Sequence, residues 1–205
     1  MPRDAKAFDP HLATALYTER TFGCDAVKVL PGEYYVSDQD MALVTTLGSC
    51  VSACIRDVRT GLGGMNHFML PDTAEGSDPA AASARYGTFA MELLINELLK
   101  RGARRESLEA KVFGGGNVLA GMTRVNVGER NARFVLQFLQ VERIRVAARD
   151  LLDEFPRKVY FFPAKGRVLV KKLRTTQYHV LIDRENSYLR ELARGGPAGD
   201  VELFS

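Results

Sequence analysis

Apolar and polar positions change period several times along this chain, and each change marks an element. Met41 to Leu47 reads as a strand, followed by a tight Gly48-Ser49 turn into Cys50 and a second apolar run from Val51 to Ile55. A polar turn over residues 56–61 separates that run from a third one, which carries His67. Consecutive runs joined by short turns usually pair antiparallel, so positions far apart in sequence come side by side. Upstream, Tyr34-Tyr35-Val36 predicts a short strand entering the polar turn Ser37-Asp38-Gln39-Asp40. Residues 1–27 carry scattered charges and weak periodicity, and His11 among them reads as a solvated side chain.

Residues 71–79 form a polar loop bearing proline and glycine. From 83 to about 101 the period becomes helical: Met91, Leu94, Ile95 and Leu98 follow i, i+3, i+4, i+7, Ser83 is placed to cap the start, and Gly102 stops the helix. Glu109 to Phe113 predicts a strand ending in Gly114-Gly115-Gly116-Asn117. That cluster lacks the Gly-Lys-Ser/Thr of a phosphate loop, which leaves a tight turn or pocket wall as the favoured reading. Asn126 to Gly128 opens a second helix over 129–141, with Phe134, Leu136, Phe138 and Leu139 among its apolar residues. From Ile144 the period is two, and Arg157–Phe162 with Arg167–Leu173 reads as a hairpin around Pro163–Gly166. Residues 174–205 are mixed polar and read as a peripheral tail. This order predicts an α/β (α+β) layered sandwich, its central strands lying between two main helices on one side and further strands or loops on the other.

Composition narrows the classes. The 205 residues suit one domain, and 46% hydrophobic with 26% charged residues is ordinary globular composition. A net charge of +3, from 28 basic and 25 acidic residues, gives no general case for nucleic acid as a partner. Three cysteines make no disulfide ladder, and Cys50-Val51-Ser52-Ala53-Cys54 is not a Cys-x-x-Cys pair. His11, His67 and His179 are scattered, so no metal site is expected. With no secretion signal and no bilayer-length apolar run, the expectation is a reduced, soluble, cytoplasmic protein without membrane insertion.

Cys50 just after a Gly-Ser turn, with His67 on the next run, suits a thiol nucleophile and its base. A free thiol with a pKa of about 8.5 is mostly protonated at pH 7, so a neighbouring imidazole or a set of backbone N–H groups is needed to activate it. The bland alternatives are a small buried hydrophobe for Cys50 and a structural histidine for His67. A redox pair of Cys50 with Cys54 is weaker: four residues along a strand is roughly 13 Å, too far for a disulfide.

Several separated motifs then line up in order. They are Leu47-Gly48-Ser49-Cys50-Val51, Gly63-Gly64-Met65-Asn66-His67-Phe68-Met69-Leu70-Pro71, Arg85-Tyr86-Gly87, Lys111-Val112-Phe113-Gly114-Gly115-Gly116-Asn117, Gly128-Glu129-Arg130-Asn131, and Arg157-Lys158-Val159-Tyr160-Phe161-Phe162-Pro163, with Gly166-Arg167-Val168 and Lys171-Lys172-Leu173 closing the set. In these the chain resembles the CheD family of chemoreceptor glutamine deamidases from bacterial chemotaxis. The resemblance implies a deamidase domain over 28–173, an N-terminal extension of unknown role over 1–27, and a C-terminal extension over 174–205. It implies a papain-like cysteine hydrolase on a layered α/β fold similar to the catalytic domain of cytotoxic necrotizing factor toxins.

By the same resemblance Cys50 is the nucleophile and His67 the general acid and base. A third group on the preceding strand would orient the imidazole: Val44 through its carbonyl or Thr45 through its hydroxyl. Gly48, Ser49, Asn66, Arg85, Tyr86, Gly115 and Asn117 are the expected substrate-binding positions, with N–H groups of the Gly48–Val51 turn as oxyanion donors. The implied substrates are glutamine side chains of methyl-accepting chemotaxis receptors, with receptor glutamyl methyl esters as a second class. No cofactor is implied. A CheC-type phosphatase is an implied partner, and the alternative function is a non-catalytic chemotaxis adaptor. One departure stands out: Leu151-Leu152-Asp153-Glu154 occupies a stretch where relatives often carry glycine.

Overall fold

The computed structural model describes residues 9–71, 79–118, 127–173 and 178–193. In chain order these form β1 (Ala15–Glu19), β2 (Cys24–Lys28), β3 (Tyr34–Ser37), β4 (Ala42–Leu47), β5 (Val51–Asp57), β6 (Gly63–Asn66), α1 (Pro79–Lys100), β7 (Leu108–Gly114), α2 (Val127–Val141), β8 (Arg145–Leu151), β9 (Arg157–Phe162), β10 (Arg167–Lys172) and α3 (Tyr178–Ala193). The strands make two five-stranded mixed sheets, one in the order β1-β2-β4-β9-β10 and the other β3-β6-β5-β7-β8. This is the expected α+β layered sandwich.

Side-chain alternation fixes the layers. On β4, Leu43 and Leu47 point inward with Val27, Val159 and Phe161, and meet Cys54, Met65, Met69 and Phe113 of the other sheet. Ala42 and Val44 point outward with Tyr160 and Phe162. The far face of the second sheet, with Val51, Ala53, Ile55, Ala110 and Val112, packs on the helix layer. There α1 presents the buried stripe Met91, Leu94, Ile95 and Leu98 that its period predicts. α2 buries Val127, Asn131, Val135 and Leu139 at intervals of four, so its polar Asn131 lies in the middle of the packed face. Phe134, Leu136 and Phe138 are only partly buried at the edge of that core.

The antiparallel pairing of β5 with β6 and the hairpin β9–β10 follow the expectation. Residues 15–28 and 178–193 pack on the body of the domain. β1 and β2 pair antiparallel, and β2 adds parallel to β4, so residues 15–28 complete the sheet that carries the strand before Cys50. Their short strands leave Leu16 and Tyr17 exposed, which removes the alternation that would mark them in sequence. Residues 178–193, expected as part of a tail, form α3, whose Glu185 is fully buried. The expected loop over residues 72–78 lies outside the described residues.

Candidate active site

The chain leaves one sheet at Leu47 and enters the other at Val51, so the Gly48-Ser49-Cys50 turn is the corner between the two layers. Past the end of β6 the strand register continues. Cys54 pairs with Met65 and Val51 with Phe68, which sets Ser52 opposite His67 and Cys50 opposite Met69. Cys50 and His67 therefore share the inter-sheet face as diagonal neighbours, a relation that spans about 7–8 Å between strands. Both are buried.

The imidazole is oriented from β4. Thr45 shares the inward parity of Leu43 and Leu47, and its Oγ1 donates to the Val29 carbonyl at 2.8 Å. Having spent its one hydrogen there, that hydroxyl accepts from His67 Nδ1–H, also at 2.8 Å. Nδ1 thus carries the proton and Nε2 keeps its lone pair. Nε2 is buried and has no hydrogen-bond partner among the described residues. Burial first, and the Arg184 charge on α3 as well, lower the His67 pKa to about 3, so the ring is neutral at pH 7. The His67 backbone is pinned too, its N–H donating to the Glu33 carbonyl and its carbonyl accepting from Gly32 N–H. Val44 does not take the orienting role. Its side chain lies on the outer face and its carbonyl accepts from Val29 N–H at 2.8 Å.

The Cys50 turn is gripped from two sides. Gly116 N–H donates to the Gly48 carbonyl and Gly115 N–H to the Cys50 carbonyl, each at 2.7 Å. Asn131 Nδ2 donates to the Ser49 carbonyl at 2.8 Å while its Oδ1 accepts from Leu70 N–H. With all three carbonyls turned toward the body of the domain, the three N–H groups converge on the opposite side. Glycine is needed for this approach. Gly114 has φ +106°, and a Cβ there would lie 2.2 Å from the Cys50 carbonyl oxygen. The strap is held from behind, as Leu152 N–H donates to the Gly114 carbonyl and Asn117 N–H to that of Asp153. Leu152 and Asp153 have φ of 67° and 79°, in the left-handed region that favours glycine.

What the three N–H groups converge on is Glu185. Its carboxylate accepts from Gly48 N–H at 2.8 Å, Ser49 N–H at 2.9 Å, Cys50 N–H at 3.3 Å and the Ser49 hydroxyl at 2.7 Å. Burial, and then this carboxylate, push the Cys50 thiol well above its ordinary pKa. Tyr188, one turn further along α3, is hydrogen-bonded to Tyr86 of α1. Chemically the corner offers an oxygen-binding cradle, a thiol and an imidazole with a free lone pair on one face.

Of the expected substrate-binding positions, Gly48 and Ser49 belong to the cradle and Gly115 to its support. Tyr86 borders it through Tyr188, while Arg85 and Asn117 are exposed at the surface. Asn66 is not at the cleft. Its Oδ1 accepts from Ala53 N–H and its Nδ2 donates to the Ala90 carbonyl, so it ties β5 to α1 on the helix side. The sequence reading missed Glu185, the Val29 carbonyl and the role of Asn131. The i+4 stripe of α2, interrupted by one asparagine, was the available signal for the last. Among the described residues no group of three His, Cys, Asp or Glu is placed to hold a metal ion, and no helix is long and apolar enough to cross a membrane.

Comparison with known proteins finds relatives across almost the whole chain. A family model described as "CheD chemotactic sensory transduction" matches residues 69–172, a segment that takes in the glycine strap and Asn131 and begins two residues after His67. Similar full-length proteins extend across the whole site. One from Janthinobacterium sp. (strain Marseille) is 64% identical over 196 residues, covering 95% of this chain and 97% of that protein. One from Methylobacillus flagellatus is 60% identical, covering 98% of this chain and all of the other. Both bear the name "Probable chemoreceptor glutamine deamidase CheD".

Proposed function

This chain belongs to the CheD family, and from that premise we propose that it deamidates glutamine side chains of chemoreceptors through a Cys50 thioester, with His67 as base and acid and Thr45 holding the imidazole. The supporting observation is the proton placement at His67: Nδ1–H is committed to Thr45, and Nε2 has no hydrogen-bond partner among the described residues and is free to take the thiol proton. The thiolate then attacks the glutamine side-chain carbonyl. The oxygen that becomes negative is received by N–H groups of Gly48, Ser49 and Cys50, which already bind a carboxylate and are aimed without reorganisation. His67 returns its proton to the departing ammonia, then takes one from the water that hydrolyses the thioester, releasing glutamate. A glutamyl methyl ester would enter the same thioester, with methanol leaving in place of ammonia.

The test is peptide mass spectrometry of receptor fragments incubated with the protein. Each modified glutamine gains about one mass unit as amide becomes acid, and the gain should fall at least about 10³-fold in Cys50→Ala and about 10²–10⁴-fold in His67→Ala. Undiminished deamidation by Cys50→Ala would remove the nucleophile assignment. Receptor binding without any mass gain from the wild type would favour the adaptor.

A further inference from the structure

The carboxylate in the cradle belongs to the chain itself. A buried glutamate that accepts from three consecutive backbone N–H groups and a hydroxyl beside a thiol has the chemistry of the glutamate side chain that deamidation would leave there. We propose that α3 is a displaceable internal plug, in which Glu185 occupies the oxyanion cradle as a mimic of the product and keeps Cys50 closed until the helix leaves.

Three features separate a plug from a permanent structural strut. First, the cradle does not depend on Glu185 for its shape. Gly116, Asn131 and Gly115 anchor its three carbonyls from the body of the domain, and those bonds survive removal of α3. Second, α3 is thinly attached. Among its described side chains Leu181, Glu185 and Leu192 are buried, Tyr188 and Leu189 pack partly buried on the core, and beside Thr45 the helix borders an open groove of about 670 Å³ with Lys28 and Lys158 opposite Leu181 and Arg184. Third, two adjacent α3 residues act against the reactive pair. The Glu185 charge opposes the thiolate, and the Arg184 charge opposes the imidazolium. Gly48 is matched to the close approach, since a Cβ there would lie 2.8 Å and 2.9 Å from the two Glu185 carboxylate oxygens. The inference rests on the deamidase reading only for calling Glu185 a product mimic; the closure of Cys50 stands on geometry alone.

The test uses the full-length chain and two readouts, iodoacetamide alkylation of Cys50 and deamidation of a receptor fragment. Cys50 of the wild type should alkylate slowly, and at least about tenfold faster in Glu185→Ala or Tyr188→Ala, because burial and the carboxylate are relieved together. Deamidation should rise in parallel. A folded Glu185→Ala chain whose Cys50 reacts no faster than wild type overturns the plug. If that variant does not fold, Glu185→Gln supplies the test, since it sets an amide against the thiol at nearly unchanged size. Its side chain at position 185 should be hydrolysed with release of ammonia, gaining about one mass unit in a manner lost when Cys50→Ala is added. A folded Glu185→Gln chain with no conversion and wild-type alkylation also overturns the plug. Faster alkylation with no deamidation of any amide would instead uphold the plug and remove the deamidase reading. Receptor deamidation at equal rates in wild type and folded Glu185→Ala, with equal alkylation, would do the reverse.

Discussion

The two halves of the proposed reactive pair, His67 and Cys50, are held by neighbours of different kinds. His67 lies between strands of both sheets, its ring bonded to Thr45 on β4 and its backbone to the Gly32–Glu33 connection. None of those contacts can be released without opening the sandwich. Cys50 is anchored through carbonyls to the strap and α2, but its N–H side faces a terminal helix. Position is thus built into the fold for both groups, whereas the charge state of the thiol depends on an element that can move. The imidazole side should behave as part of the core under mutation, and the sulfur side as a switchable surface.

The strongest challenge to that contrast is at Thr45. Thr45→Val keeps shape but removes the hydroxyl that links the Val29 carbonyl to His67 Nδ1, leaving the two buried groups only their direct contact at 3.4 Å. Loss of ring orientation should lower deamidation by about 10²-fold, and the lost hydroxyl hydrogen bonds should cost about 1 kcal/mol of stability. Thr45→Ser, which keeps the hydroxyl, should restore most of both. Mass-spectrometric turnover and urea unfolding of the two variants decide it. Equal activity for Val and Ser would show that the ring is held by packing alone, and the contrast between the two halves would fail.

Thr45 also shows how far sequence could reach. Period two through Leu43, Thr45 and Leu47 put the threonine on the inner face and Val44 on the outer, and that parity was readable in the sequence although the resemblance left both open. The apolar stripe of α1 and the hairpin β9–β10 were legible for the same reason, because burial on one face writes a period. Asn66 was misplaced because polarity beside a histidine resembles a site, while the residue sits on the opposite face of the strand and satisfies backbone groups there. Glu185 was invisible. A glutamate at a buried helix position reads as a solvated face, and its partners lie 135 to 137 positions away as backbone N–H groups, which leave no mark in side-chain pattern.

Acid titration sharpens the comparison at smaller amplitude. His67 is held neutral, with its pKa lowered from 6.5 to about 3. Between those values the unfolded chain binds more protons than the folded one, so stability rises with pH across the window. The contribution is complete above 6.5 and is lost as pH falls toward 3, at about 1.4 kcal/mol per pH unit within the window. Unfolding free energies between about pH 6 and pH 4 should therefore fall more steeply for wild type than for His67→Gln, which lacks the titrating ring. Parallel slopes would mean that the ring is reached by solvent and protonates in place, contrary to its burial between the sheets.

The smallest effect tests the support behind the sulfur. Leu152 holds φ 67° and is 44% exposed, while its N–H bonds the carbonyl of Gly114, the strap glycine that lies against Cys50. A left-handed conformation costs a branched residue about 1–2 kcal/mol, and glycine at the same place returns about 0.5–1 kcal/mol of that through the freedom of the unfolded chain. Leu152→Gly should then stabilise by about 0.5 kcal/mol, a rise in Tm of about 1–2 °C for a chain of this size. Asp153→Gly relieves a similar strain at φ 79° but gives up the contact to Lys172 at 2.6 Å and the bond to Glu154 N–H, so little or no gain is expected. Calorimetry of both variants separates the terms. A lower Tm for Leu152→Gly would show that the exposed leucine packs usefully on the strap, and the loop would then be shaping the cysteine turn through side-chain contact as well as backbone bonds.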